Sequence, residues 1–252
     1  MAASVYKQKT LNSGVVMTKN VLLATAAFAI ASAAAVPAQA GNWSGLYIGG
    51  HAGGLWGDVD VAKVNEPVPM PFDGSANGTT TTYSPSGVLG GAQLGYNYQM
   101  SNLVFGLELS GSATEFNKSA MLATDDLHTV NSDWNASAVL RAGYAFSYGA
   151  LVYLKGGYAI ADLQHSMTDS VGASPNGGSY SDSENIDGYT VGAGYEYLIS
   201  SDVSVGLDYA YADYGTSTFE ATADVPADGS IVHEIDAKTH TVTARLNWHF
   251  NP

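Results

Sequence analysis

The chain of 252 residues contains no cysteine, and only 13% of it is Asp, Glu, Lys or Arg. The first absence excludes a disulfide framework and thiolate metal sites. The second is well below the quarter usual in globular domains. Basic residues are scarcer still, 9 Lys+Arg against 23 Asp+Glu. No basic patch is available to meet phosphates, so nucleic acid is excluded as a partner. There is no GxSxG elbow, no P-loop and no HExxH pair. Beyond residue 40 no apolar run is long enough for a membrane-spanning helix.

What is abundant is glycine (29) and tyrosine (16), arranged with a period of two. The final stretch, residues 241–250, is the clearest case. Val242, Ala244, Leu246, Trp248 and Phe250 alternate with Thr241, Thr243, Arg245, Asn247 and His249. Side chains alternate faces along a strand, so one face is apolar and the other polar. A sandwich strand, a lipocalin strand and an outer-membrane barrel strand all fit this segment.

The start reads as a secretory leader. Lys7, Lys9 and Lys19 precede an alanine-rich run from Val21 to Val36, and Ala38-Gln39-Ala40 has the small-x-small cleavage pattern. Residues 1–40 are therefore expected to be a signal peptide, with Met17 a candidate true start, and 41–252 the mature domain. Cleavage removes three of the nine basic residues and no acid, taking the formal charge from −14 to −17.

Eight alternating segments follow. They begin near Trp43, Val88, Leu103, Trp134, Val152, Tyr189, Val203 and Thr241. Short turns fall at Ser101-Asn102, Ser147-Tyr148-Gly149 and Ser200-Ser201-Asp202. Long polar loops are expected over residues 57–87, 114–133, 165–187 and 214–238. An even strand number with connections alternating long and short is the pattern of an up-and-down outer-membrane barrel. Both mature termini then lie on the periplasmic side.

The charges fall in register with this reading. Glu108, Arg141, Lys155, Glu196, Asp208 and Arg245 all lie on the polar parity, three acids and three bases. A narrow lumen predicts that they pair. The outward parity of the second to eighth segments carries no charge, which in water would leave a large exposed apolar belt. In a bilayer a closed barrel satisfies its own backbone and lipid covers the belt. Tyr96, Tyr98, Tyr144, Tyr195, Tyr197, Tyr211 and Trp248 sit near segment ends, as interfacial girdles require.

Several stretches also resemble a known family. Residues 43–50, WSGLYIGG, are similar to the opening of the small porin-like outer-membrane β-barrel proteins, which include alpha-proteobacterial surface antigens. Residues 91–99, 140–146 and 191–197 are similar to its second, fourth and sixth strands, and 246–250 to its closing strand. The resemblance implies an all-β, eight-stranded antiparallel transmembrane barrel in the bacterial outer membrane, with four long extracellular loops. It implies that Phe250 is the terminal aromatic read by the barrel-assembly machinery, although Asn251-Pro252 follow it. Asp208 stands where the family often has glutamate. Some relatives are reported to bind haem, and His233 and His240, flanking the last long loop, are the candidate ligands by that resemblance.

The expected role is structural and surface-exposed, with lipid and lipopolysaccharide as partners, no cofactor and no catalysis. The alternatives are a narrow pore, a haem- or ligand-binding barrel, or a lipid-modifying enzyme with His165-Ser166 near its rim. Acids such as Asp58 and Asp60 are expected in loops, solvated or binding divalent cations. Eight strands leave an interior filled by side chains, which disfavours a wide pore.

Overall fold

The structure, a computed structural model, describes residues 41–65, 78, 80–122, 126–169, 179–222 and 230–250. The leader expectation lies outside these residues. The strands are β1 (Gly45–Asn65), β2 (Thr80–Tyr83), β3 (Ser86–Met100), β4 (Leu103–Leu122), β5 (Asp126–Ala145), β6 (Ala150–Asp169), β7 (Ser179–Leu198), β8 (Val203–Thr222) and β9 (Ser230–Phe250). All neighbours are antiparallel, and β1 pairs with β9, so the sheet closes on itself.

Nine strands make eight staves. Trp56 pairs with Ser86 and Val59 with Tyr83 in one unbroken register, so β2 continues β3. Between them Gly57 donates its N–H to the Pro85 carbonyl at 3.1 Å. Proline has no N–H to return that bond, and the ladder lapses for two residues without a shift.

The staves run far beyond the expected segments. Most are 20 or 21 residues long, whereas about 9–11 suffice to cross a bilayer. The stretches 57–65, 114–122, 126–133, 165–169, 179–187, 214–222 and 230–238, expected as loop, are strand. Polarity there marks the end of the apolar belt and not the end of pairing.

On β9 the reason is visible within one regular strand. Outward residues run Phe250, Trp248, Leu246, Ala244 and Val242, then His240, Lys238, Asp236 and Glu234. Inward residues run His249, Asn247, Arg245, Thr243, Thr241 and Thr239, then Ala237 and Ile235. Near residue 240 the code inverts from apolar-out to apolar-in. The same inversion gathers Val59, Val61, Tyr83, Leu163, Ile186, Tyr214 and Ile235 into an apolar core inside the hairpin end of the barrel. Asp58 and Asp60, expected in a loop, lie on β1, hydrogen-bonded to Ser84 (2.8 Å) and Thr82 (2.5 Å).

Bulges mark this level. Registers slip by one residue between Ala113 and Phe116 on β4, Asn131 and Asn135 on β5, and Asp213 and Thr216 on β8. The extra backbone groups are met by side chains. Asp162 accepts the N–H groups of Asp133 (2.9 Å) and Trp134 (2.8 Å). Asp213 accepts the N–H of Gly215 (3.0 Å) and the Tyr211 hydroxyl (3.0 Å). Desolvation pushes the Asp213 carboxyl up, but those donors prevail and hold it below the usual aspartate range.

Candidate functional site in the barrel lumen

The lumen is layered. At the short-turn end Trp43, Val104, Leu151 and Leu198 are buried together as an apolar floor. Above it lies a layer of charge, then a hydroxyl-lined cavity, then the apolar core of the hairpin end.

The six charges sit one to a stave, on β4 through β9, and all project into the charged layer. Arg141 reaches Glu196 at 2.6 Å and Glu108 at 3.1 Å. Arg245 pairs with Glu108 and, at 3.3 Å, with Asp208. Lys155 lies 2.5 Å from Asp208. Each carboxylate therefore meets at least one cation, and Glu108 and Asp208 meet two each. Ions held so far from water persist only when paired and hydrogen-bonded. Every charge of this layer is ion-paired, while the Nε of Arg141 and that of Arg245 are buried without a hydrogen-bond partner among the described residues.

Two tyrosines complete the layer, and sequence reasoning did not single them out. The Tyr47 hydroxyl donates to Glu108 (2.6 Å) and accepts from Arg141 (2.5 Å). The Tyr153 hydroxyl donates to Asp208 (2.7 Å) and accepts from Arg245 (3.1 Å). The Arg141 guanidinium also lies 3.8 Å from the Tyr153 ring centroid, a cation–π contact. Tyr47 pairs with Gly95, and Tyr153 with Gly194. A Cβ on either glycine would run into the facing ring. The glycines are bare wall against which each ring lies flat. Tyrosine on the polar parity directly opposite glycine was the available signal, legible only once the register is known.

Polar side chains extend the layer. Asn247 donates to Glu196 (3.0 Å), as does Ser204 (3.0 Å), whose oxygen also meets His249 Nε2 (2.9 Å). Above them lies a cavity of about 80 Å³, bordered by His51, Ser112, Asn135, Thr243 and the Lys155 side chain among others.

His233 and His240 both lie on β9 (Ser230–Phe250). His240 is outward, stacked on Trp56 (5.7 Å) and hydrogen-bonded to the Tyr209 hydroxyl (2.8 Å). The His233 side chain lies outside the described residues, as do those of His165 and Ser166. Phe250 ends β9 facing outward, opposite Leu46; Asn251 and Pro252 are outside the described residues. Among the described residues no cluster of His, Asp and Glu has the arrangement of a metal site.

The outward face is apolar through the middle of the barrel. Leu140 and Leu154 are the most exposed of its large residues, at 69% and 67%. Aromatic side chains lie toward its two ends: Tyr96, Tyr98, Tyr144 and Trp248 at one, and Trp56, Trp134, Tyr158, Tyr189 and Tyr209 at the other. Such a surface is compatible with a bilayer and not with water.

Comparison with known proteins gives the same answer. A family model described as outer membrane protein beta-barrel domain matches residues 22–250. The 31 kDa outer-membrane immunogenic protein of Brucella melitensis is 29% identical over 226 residues, 86% of this chain and 87% of that protein. The 22 kDa outer membrane protein of Rhizobium leguminosarum is 28% identical over 185 residues, 72% of this chain and 69% of that one. The crystal structure of the outer membrane protein OprG from Pseudomonas aeruginosa shares the fold, with a TM-score of 0.51 at 14% identity, covering 84% of this chain and 100% of that one. The chain thus resides in the bacterial outer membrane and belongs to the outer-membrane protein β-barrel domain family.

Proposed function

We propose that this protein is a plugged structural barrel that anchors a surface-exposed hairpin crown, and that it neither conducts solutes freely nor turns over a substrate. The observation that carries the reading is the set of arginine bridges in the lumen, from Arg141 to Glu196 and Glu108 and from Arg245 to Glu108 and Asp208, of which Arg245–Glu108 spans from β9 to β4. A charged layer that ties β4 through β9 together, resting on a floor with Trp43 fully buried, favours rigidity over passage. The short turns and both mature termini would face the periplasm, and the long hairpins the medium. The apolar core inside those hairpins would hold them upright and present an acidic surface. The Brucella melitensis relative is named for immunogenicity, which suits a protein whose crown meets the medium.

Partners follow from the surfaces. The apolar belt and its aromatic ends suit membrane lipid and lipopolysaccharide. Phe250, last in β9 and outward, suits recognition by the assembly machinery.

Recording from planar bilayers tests the plug. The expected result is no stepwise conductance from the folded protein. Sustained single-channel steps, abolished by heat-unfolding the same sample, would replace the plug with a narrow pore.

A further inference from the structure

We propose that Ser112 is a histidine-activated nucleophile, a site of covalent acylation by small activated acyl donors that reach the lumen cavity. This goes beyond the structural role and requires no turnover.

The argument rests on a chain of hydrogen bonds whose directions follow, for neutral His51, from the Glu196 carboxylate at its end. Asn247 donates its amide N–H to Glu196 Oε2, leaving Asn247 Oδ1 as an acceptor. Gln93 Nε2 donates to that oxygen at 2.6 Å and to the Gly50 carbonyl at 3.3 Å. The orientation of the Gln93 amide is thereby assigned, and Gln93 Oε1 faces His51 Nδ1 at 2.6 Å. An amide oxygen only accepts, so Nδ1 of His51 carries the proton. Nε2 of neutral His51 is then unprotonated, and it lies 2.8 Å from Ser112 Oγ. The hydroxyl must donate to the imidazole. That is the ground state of a serine with a general base, and a side-chain amide takes the third, orienting place.

The backbone makes this reach possible. His51, Gly91 and Ser112 form one row across β1, β3 and β4. A Cβ on Gly91 would collide with the backbone of Gly111 and Ser112. The bare glycine lets the imidazole cross a whole strand to the serine.

The pair also faces space. His51 and Ser112 both line the cavity of about 80 Å³, room for several waters or one small molecule. The same cavity supplies an internal contrast. Ser110 and Ser137 line it too, but their hydroxyls pair with each other at 2.8 Å.

With an activated ester, Ser112 Oγ attacks the acyl carbon while its proton passes to His51 Nε2. The Oγ–C bond forms, the ester C–O bond breaks, and the leaving alcohol departs with the electron pair and takes the proton from His51. Gln93 is a positioning residue, acting through His51.

The probe is methanesulfonyl fluoride, small enough for the cavity. Its S–F bond breaks as the Oγ–S bond forms, releasing fluoride and a proton. Protein extracted from outer membranes in detergent is treated, and the modified serine is located by peptide mass spectrometry. Ser112 is expected to react at least about a hundredfold faster than Ser110 and Ser137, the lower end of what a positioned base supplies. The advantage should vanish when the barrel is unfolded. His51→Leu should remove it, Gln93→Leu should reduce it, and Gln93→Glu, which keeps an acceptor on Nδ1–H, should restore it. Closure of each variant is read from the heat-dependent gel shift. No modification of Ser112 in the folded wild-type barrel, or equal modification of the three serines, overturns the proposal without recourse to any variant.

Discussion

Arg245 and Glu108 meet across the lumen although 137 positions separate them in the chain. One lies on the closing stave and the other on the third, so their contact exists only when the barrel is shut. Glu108 accepts from Arg245, Arg141 and Tyr47 together, which makes it the acid on which the charged layer converges.

Replacing Glu108 with alanine leaves both arginines short of an acceptor away from water. The expected loss is about 3–5 kcal/mol, the cost of breaking a buried pair from one side. Urea unfolding in lipid vesicles, followed by tryptophan fluorescence, measures it. A loss within about 0.5 kcal/mol, the range of an ordinary surface change, would mean that water reaches the arginines freely.

Leu154→Arg and Thr218→Arg separate the two environments of the outward face. Leu154 is 67% exposed in mid-belt, whereas Thr218 is exposed above the bulges. A charge in the bilayer costs about 2–4 kcal/mol, while the same change in water costs about 0.5 or less. Comparable costs at the two sites in vesicles would place the belt at the wrong height.

Ile235→Asp attacks the core of the hairpin crown. Ile235 is 1% exposed among apolar neighbours, and an unpaired carboxylate there cannot be solvated. Added protease should cleave the crown of this variant far faster than that of wild type. The heat-dependent gel shift of the membrane portion should persist. Unchanged cleavage would show that the crown does not depend on this core.

Asp162→Ala removes the acceptor for two backbone N–H groups at the β5 bulge. Loss of charge-assisted bonds of this kind costs about 1.5–3 kcal/mol. Hydrogen exchange at Asp133 and Trp134 should accelerate while distant amides stay protected. Unchanged exchange at both would show that the bulge is held by the ladder alone.

The Asp213 bulge should be acid-sensitive. Its folded carboxyl lies below the ordinary value of 3.8, so its contribution is complete above that value and fades as pH falls through the folded one. Exchange at the Gly215 amide, which Asp213 accepts, should rise below about pH 4 in wild type and be pH-insensitive, beyond intrinsic exchange, in Asp213→Asn. A matching acid response in the variant would assign the effect to another group.

The barrel and its inward charges could be read from the chain alone, because a strand exposes alternate residues to opposite media and lipid tolerates no charge. Leu246, Trp248 and Phe250 against Arg245, Asn247 and His249 carry that information locally. The same rule misled at 230–238, where the outer medium turns from lipid to water. Inside and outside exchange polarity while Ile235 and Ala237 still alternate with Asp236 and Lys238. Only the tertiary structure decides such matters, since they depend on which residues share a row. Register sets Tyr47 against Gly95 and carries His51 across Gly91 to Ser112. No local pattern encodes register, because it follows from closing eight staves into one ring, where each offset is constrained by all the others.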